Sequence, residues 1–185
     1  LEETMGALAS AVQSGKAIYV GLSNYDGETL KKATAILKDL HCPFVINQNR
    51  YSIFDRTIEN NGLKRESVNL RRGIIAFSPL AQGMLTDRYL NGIPEDSRIK
   101  KDGRFLKESA LTEDKLESIR GLAAVAKARG QTLAEMALAW ILRDGAVTSV
   151  LIGASKPSQI TENIKAIENT HFSAEELRSI VALSR

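Results

Sequence analysis

Several residue types are scarce in this sequence, and each scarcity removes a class of explanation. A single cysteine, Cys42, cannot close an internal disulfide, so a reducing, cytoplasmic setting is the default. Cys42 precedes Pro43 with no charge arrangement nearby to favour a thiolate, and it reads as a small buried apolar residue. The two histidines, His41 and His171, have no second His, Cys or carboxylate at ligand spacing, which argues against a metal site and leaves them as surface or capping residues. Only four prolines occur, and no Pro/Gly/Ser-rich stretch offers a linker, so residues 1–185 read as a single domain. No apolar run approaches the ~18 residues of a membrane span, and no signal-peptide layout is present. An excess of one charge is missing too. Net charge is +3, with 25 basic against 22 acidic residues and the basic ones scattered, which argues against nucleic-acid or membrane-surface partners and leaves room for a small anionic ligand. Neither GxGxxG nor GxxxxGK[ST] occurs, so neither a Rossmann nor a P-loop phosphate site is supported.

What is present is enough apolar residue, 43% of the chain, for a sizeable core, arranged in alternating periods. From Met5 the positions Leu8, Ala9 and Val12 form a helical stripe that ends near Gly15, and "KAIYVGLS" reads as a strand. Asp26 precedes a second stripe at Leu30, Ala33, Leu37 and Leu40, and "PFVINQ" is the next strand. A sparser helical pattern, "IENNGLKRESVNLRRG", leads to the buried strand "GIIAFSPL". Residues 81–110 lack a sustained period and are too long for an ordinary connection, which marks them as functional or mobile. Thr112 opens a helix, Thr132 with Glu135 forms a capping box ahead of Trp140, and "VTSVLIG" is the last strand. Ile160, Ile164 and Ile167 mark the helix that follows, and Ser173 with Glu176 caps a terminal one. Apolar strands alternating with helices imply a parallel sheet covered by helices, an α/β fold.

The polar residues gather at the strand ends: Gly21, Ser23 and Asn24; Asn47 and Gln48; Ser78 and Pro79; Gly153, Ser155 and Lys156. In a parallel barrel these ends share one rim, where ligands and chemistry sit. Taken singly, each also fits an ordinary βα turn. The stretch "SVLIGASKPSQITEN" goes further, since a Gly permits close approach, Ser155 offers donors, Lys156 a charge, and Pro157 suits a first helical turn. That is the make-up of a phosphate site, and equally of a helix that Ser155 merely caps while Lys156 is solvated. Tyr51, three residues after Gln48, is either a proton donor or a packing aromatic.

"GLSN", "NQNRYSIFDR", "FSPLAQGMLTDRYLNGIPEDSR" and "SVLIGASKPSQITEN", in this order, resemble the C-terminal half of an aldo-keto reductase. The resemblance spans the chain and implies a (β/α)8 TIM barrel, of which residues 1–185 would carry strands five to eight, with NADPH extended along the rim. It places Ser23, Asn24 and Gln48 on the nicotinamide carboxamide, and Phe77, Ser78, Pro79, Leu80, Gly83 and Leu85 around the pyrophosphate and riboses. Arg88 would point toward the phosphates and Arg98 would pack on the adenine. Gly153, Ser155, Lys156, Gln159, Glu162 and Asn163 would take the 2′-phosphate and adenine, with residues 81–110 closing over the cofactor as a belt.

By the same resemblance the catalytic Asp, Tyr, Lys and His belong to the first four strands, so no residue of this sequence inherits those roles. The opening "LEETMGALASAVQSGK" reads as a helix already under way, and the expectation is a truncated enzyme whose open sheet edges and apolar faces favour self-association, including as a homo-oligomer. Three functions stay open. They are the cofactor half of an NADPH-dependent reductase of small aldehydes or ketones, an NADP-binding sensor or regulator, and an aldolase or isomerase barrel using the same phosphate loops.

Overall fold

A computed structural model describes residues 1–90, 92–95, 97–101 and 106–184, the side chains of Arg98 and Lys101 excepted. Along the chain run α1 (Glu2–Gln13), β1 (Val20–Ser23), α2 (Gly27–Asp39), β2 (Phe44–Arg50), α3 (Thr57–Asn60), α4 (Leu63–Asn69) and β3 (Gly73–Phe77). After them come α5 (Arg98–Lys101), α6 (Glu113–Ala128), α7 (Leu133–Leu142), β4 (Ser149–Val150), α8 (Pro157–Ile164) and α9 (Ala174–Leu183), with 3-10 turns at Ala81–Gly83, Asp87–Tyr89, Glu108–Ala110 and Lys165–Glu168.

The chain falls into two compact units. The first comprises Leu1–Tyr51, Arg56–Phe77 and Asp144–Val150, and holds the sheet. Its strands are all parallel and follow sequence order, β1-β2-β3-β4. Each β-to-β crossover between β1 and β3 runs through helix, and α2 packs on α4, so both crossovers cover the same face of the sheet. Strands laid down in order with their helices on one side form the singly wound arrangement that curls toward a barrel. One face is apolar at Val20, Leu22, Ile74 and Ala76, all buried, and Leu30, Ala33 and Leu37 of the α2 stripe and Leu63 of α4 are buried as well. Each of the larger of these side chains, Val, Leu or Ile, contributes about 1.5–3 kcal/mol when withdrawn from water.

Close approach sets the join between α2 and α4. A Cβ on Gly27 would lie 2.6 Å from the carbonyl carbon and oxygen of Gly62, so only glycine fits, and the Gly27 N–H donates to Asn61 O at 3.1 Å. Gly62 itself takes φ 79°, a left-handed conformation that divides the sparse helical pattern into α3 and α4.

The second unit comprises Ser52–Asp55, Ser78–Arg143 and Leu151–Arg185. Its centre is α7, whose sequence LAEMALAWIL is apolar on every side and almost wholly buried, as a central helix must be. Thr132 Oγ1 accepts from the Glu135 N–H at 3.2 Å while Glu135 Oε2 accepts from the Thr132 N–H at 2.9 Å, which fixes where α7 begins. Helices α6 and α9 pack together so tightly at Gly121 that a Cβ there would sit 2.5 Å from Leu183 Cδ2. Beyond α6, Arg129 is held at nearly every donor. It pairs with Glu176 at 2.8 Å, donates to Asn169 O and His171 O at 3.2 and 2.9 Å, and lies 3.7 Å over the Phe172 ring.

Some boundaries differ from the sequence reading. The first strand begins at Val20 rather than Lys16, because Ile18 and Tyr19 lie out in solvent at 77% and 61% exposure. Pairing in "VTSVLIG" covers only Ser149 and Val150. Ile160, Ile164 and Ile167 are helical in spacing, yet among the described residues they remain 47–65% exposed instead of packing.

Candidate functional site

The first unit brings three of the candidate residues together. Ser23, the last residue of β1, is the ladder partner of Gln48, and Gln48 of Ile75; in a strand these share one face, opposite the buried row Leu22, Asn47, Ile74. Asn24 follows Ser23 with φ 60°, a conformation costly for most side chains and tolerated by Asn, and its N–H donates to Gln48 O at 2.9 Å. Ser23 and Asn24 are exposed and Gln48 half-buried, so two amide side chains and a hydroxyl stand free to meet a ligand that both donates and accepts. Phe77 ends β3 on this same face, opposite Arg50 in the ladder.

The loop that carries Asn24 is tied down. Asp26 caps α2, its Oδ1 accepting from the Thr29 N–H at 2.7 Å, and that backbone hydrogen bond holds the carboxyl below the ordinary aspartate range. Asn49, buried in β2, donates through Nδ2 to Tyr25 O at 3.2 Å, and accepts from the Nδ2 of buried Asn47. Sequence reasoning treated Asn47 only as a polar strand end and passed over Asn49. The signal was present in "NQN", where a period of two puts the outer residues on the face opposite Gln48, and a buried amide must find partners.

Tyr51, whose role the sequence left open, is fully buried, and its O–H donates to Glu59 Oε1. Glu59 is also held by Arg56 Nε at 2.8 Å, and Lys64 lies 5.5 Å from the ring centre. With its hydroxyl engaged and no exposed edge, Tyr51 serves as a packing aromatic anchored by charged neighbours.

In the second unit, the turn after β3 is strained at consecutive points. Ser78, Ala81 and Gln82 adopt φ of 52°, 47° and 61°, and Gly83 94°. Gln82 Nε2 donates to Ser78 Oγ at 3.1 Å, the Leu85 N–H to Leu80 O at 3.1 Å, and Thr86 Oγ1 to Gly83 O at 2.7 Å. Non-glycine residues held in left-handed conformations concentrate at ligand-binding turns. Gln82 is a member that sequence reasoning missed, since glutamine carries no turn signature. Pro79 and Leu85 are buried, Leu85 completely. Leu80 and Arg88 are half-buried, and the Arg88 N–H donates to Thr86 Oγ1 at 3.2 Å. The Arg98 side chain, with residues 91, 96 and 102–105 of the segment expected to form the belt, lies outside the described residues.

Gly153, Ser155, Lys156 and Glu162 are exposed at the start of and along α8, with Gln159 and Asn163 partly covered. The N-cap is Lys156, not Ser155. An ammonium cannot accept a hydrogen bond, so Gln159 serves the turn alone, its Oε1 accepting from the Ser155 and Lys156 N–H groups at 2.7 and 3.3 Å and from Ser155 Oγ at 3.3 Å. Two backbone donors and a hydroxyl thus converge on one amide oxygen at a helix N-terminus, beside the exposed Lys156 ammonium, and an anion seated there would take the place of Gln159 Oε1. Among the described residues no group of three or more His, Cys, Asp or Glu could hold a metal, and no helix is long and apolar enough to cross a membrane.

A sequentially ordered parallel sheet with helices on one face is the start of a parallel α/β barrel. The chain belongs to the aldo/keto reductase family, whose sequence pattern matches residues 1–185. Its fold is the TIM barrel of that family, represented here by four parallel strands and their helices. The chain is 49% identical over 183 residues to the L-glyceraldehyde 3-phosphate reductase of Escherichia coli, in both the O157:H7 and K12 strains, a match covering 97% of this chain and 53% of the relative. It is 35% identical over 173 residues to a probable voltage-gated potassium channel subunit beta of Oryza sativa subsp. japonica, covering 91% of this chain and 52% of that one. Among solved structures it is similar to a thermostable aldo-keto reductase in complex with the inhibitor epalrestat, with TM-score 0.70 and 29% identity over 98% of this chain and 54% of that one. The fold is shared with a glycerol dehydrogenase of Gluconobacter oxydans, with TM-score 0.75 and 24% identity over 98% of this chain and 53% of that one. The chain spans about half the length of the relatives it matches.

Proposed function

We propose that the chain, acting as one domain, is the cofactor-binding, C-terminal half of an NADPH-dependent reductase of small aldehydes or ketones. The observation that carries this reading is the juxtaposition of Ser23, Asn24 and Gln48 on one strand face, with Asn24 pinned to Gln48 through its backbone at 2.9 Å. Amide and hydroxyl side chains fixed in this way suit a carboxamide, which both donates and accepts. The exposed Lys156 charge, with the Ser155 and Lys156 donors that Gln159 Oε1 holds and a phosphate oxygen would replace, suits the dianionic 2′-phosphate that separates NADP from NAD. Ser78, Gly83 and the backbone around them suit the pyrophosphate, with Arg88 adding charge.

When bound, NADPH supplies hydride to a carbonyl carbon. The residues of this chain bind and orient it; Ser23, Asn24 and Gln48, by gripping the carboxamide, decide which face of the nicotinamide ring is presented. A proton for the carbonyl oxygen requires an acid within hydrogen-bond reach, and the candidate face carries amides and hydroxyls instead. We assign that acid to a segment outside these residues. The rival reading, an NADP-responsive regulator, is favoured by the likeness to a channel β-subunit and uses the same contacts without turnover.

Titration followed by NADPH fluorescence separates these ideas from a phosphate-only barrel. Saturable NADPH binding, tighter than that of NADH, is expected; equal affinities would remove the 2′-phosphate assignment. Turnover of methylglyoxal by the chain joined to an upstream half, and its absence without one, is the result expected of the enzyme; no turnover in either form favours the regulator.

A further inference from the structure

We infer that Asn49 and Asn47 form a buried amide relay that positions the Ser23–Asn24 corner for its ligand, and that they are positioning residues for the nicotinamide end of the cofactor. This rests on the reading of Ser23, Asn24 and Gln48 given above.

Asn47 and Asn49 are 0% and 5% exposed, on the sheet face that also buries Leu22, Ile74 and Ala76. An apolar pair would be the stable choice there. Asn47 Oδ1 is buried without a hydrogen-bond partner among the described residues, and an orphaned buried acceptor of this kind is destabilising. The pair is therefore a poor stabiliser of the core, and its use lies in what it holds. The relay runs from Asn47 Nδ2 to Asn49 Oδ1, then from Asn49 Nδ2 to Tyr25 O at 3.2 Å. Tyr25 directly follows Asn24, whose left-handed φ of 60° is open to Asn but is one of several choices that the surrounding contacts must fix. Three fixed points surround it: its own N–H on Gln48 O, Asn49 on the next carbonyl, and the Asp26 cap one residue further on. Gln48 lies in sequence between the two relay residues, so one strand segment offers its central amide to the ligand and uses the flanking two to aim the loop beside it.

The test compares two ligands. NADPH carries the nicotinamide; adenosine 2′,5′-bisphosphate carries the adenosine, its 2′-phosphate and one 5′-phosphate, and no nicotinamide. The Asn47→Leu/Asn49→Leu double variant removes both amides with little change of shape; it clears the orphaned Asn47 acceptor from the core and leaves the Tyr25 carbonyl without its donor. NADPH should bind about tenfold more weakly, the loss expected when roughly 1.4 kcal/mol of directed hydrogen bonding goes unformed, while the bisphosphate affinity stays within about twofold. Bound NADPH should also lose part of its fluorescence enhancement, because the nicotinamide is no longer immobilised. Equal weakening of both ligands, or of neither, would overturn the relay. If the double variant does not fold, Asn49→Ser, which shortens the donor out of reach of Tyr25 O, carries the same expectations. Gln48→Ala distinguishes the failures: if it does not weaken NADPH selectively, the nicotinamide assignment is wrong, whereas a selective loss there with none in the relay variants sinks the relay alone.

Discussion

At Asn24 conformation and function pull in different directions. Its φ of 60° is tolerated by Asn and free of cost to Gly, whereas alanine there pays about 1 kcal/mol. Asn24→Ala should therefore lower thermal stability while Asn24→Gly leaves it within about 1 kcal/mol, and both should weaken NADPH by roughly three- to tenfold, since each removes the amide. Melting curves and fluorescence titrations on the two variants check this; a glycine variant that binds as well as wild type would show that the side chain makes no contact. That Ser23, Asn24 and Gln48 lie together at neighbouring strand ends was legible from the strand-end pattern. Left-handed conformations at Ser78 and Gln82 were not, because neither residue type announces positive φ and only the closed turn imposes it.

Among the elements, the caps at Thr112, Thr132 and Ser173 were read accurately, whereas the α8 cap, Lys156 rather than Ser155, and the strand lengths were not. Capping is local: Thr112, Thr132 and Ser173 each accept from a backbone N–H three residues on, as their sequences imply. Strand length is set by pairing between distant segments, so "VTSVLIG" looks like seven residues of strand and supplies two. Close approaches escape sequence reading for the same reason. At Gly27 an added Cβ would strike the Gly62 backbone at 2.6 Å, so Gly27→Ala should destabilise by about 1–3 kcal/mol in a denaturant titration, and no loss would mean the helices yield there. Arg129 is 3% exposed and shares its donors among Glu176, Asn169 and His171. Arg129→Ala should cost about 2–3 kcal/mol and Arg129→Lys most of that, because lysine can neither fork across these acceptors nor lie flat on Phe172.

For the whole molecule, acid should loosen the fold through capping carboxylates. Hydrogen bonding to the Thr29 N–H lowers Asp26; burial raises Glu176, but the Ser173 N–H and the Arg129 guanidinium outweigh it and the net shift is also downward. A carboxyl whose folded value lies below its unfolded one stabilises the protein above the unfolded value and stops doing so as pH falls through the folded one. Stability should hold from neutrality to roughly pH 4 and decline beneath it, with Asp26→Asn and Glu176→Gln each flattening the decline. The helix-covered sheet was legible because alternating periods reveal it. The exposure of Ile160, Ile164 and Ile167 was not, since a helical stripe says which side is apolar without saying what covers it.

Lys156 provides the most direct measurement of the central claim, that residues 153–163 hold the 2′-phosphate of NADPH. Lys156→Ala should raise the dissociation constant for NADPH by about ten- to thirtyfold, the loss of one charge-assisted contact, and leave NADH within about twofold. Matched losses for the two coenzymes, or none for either, would contradict the account.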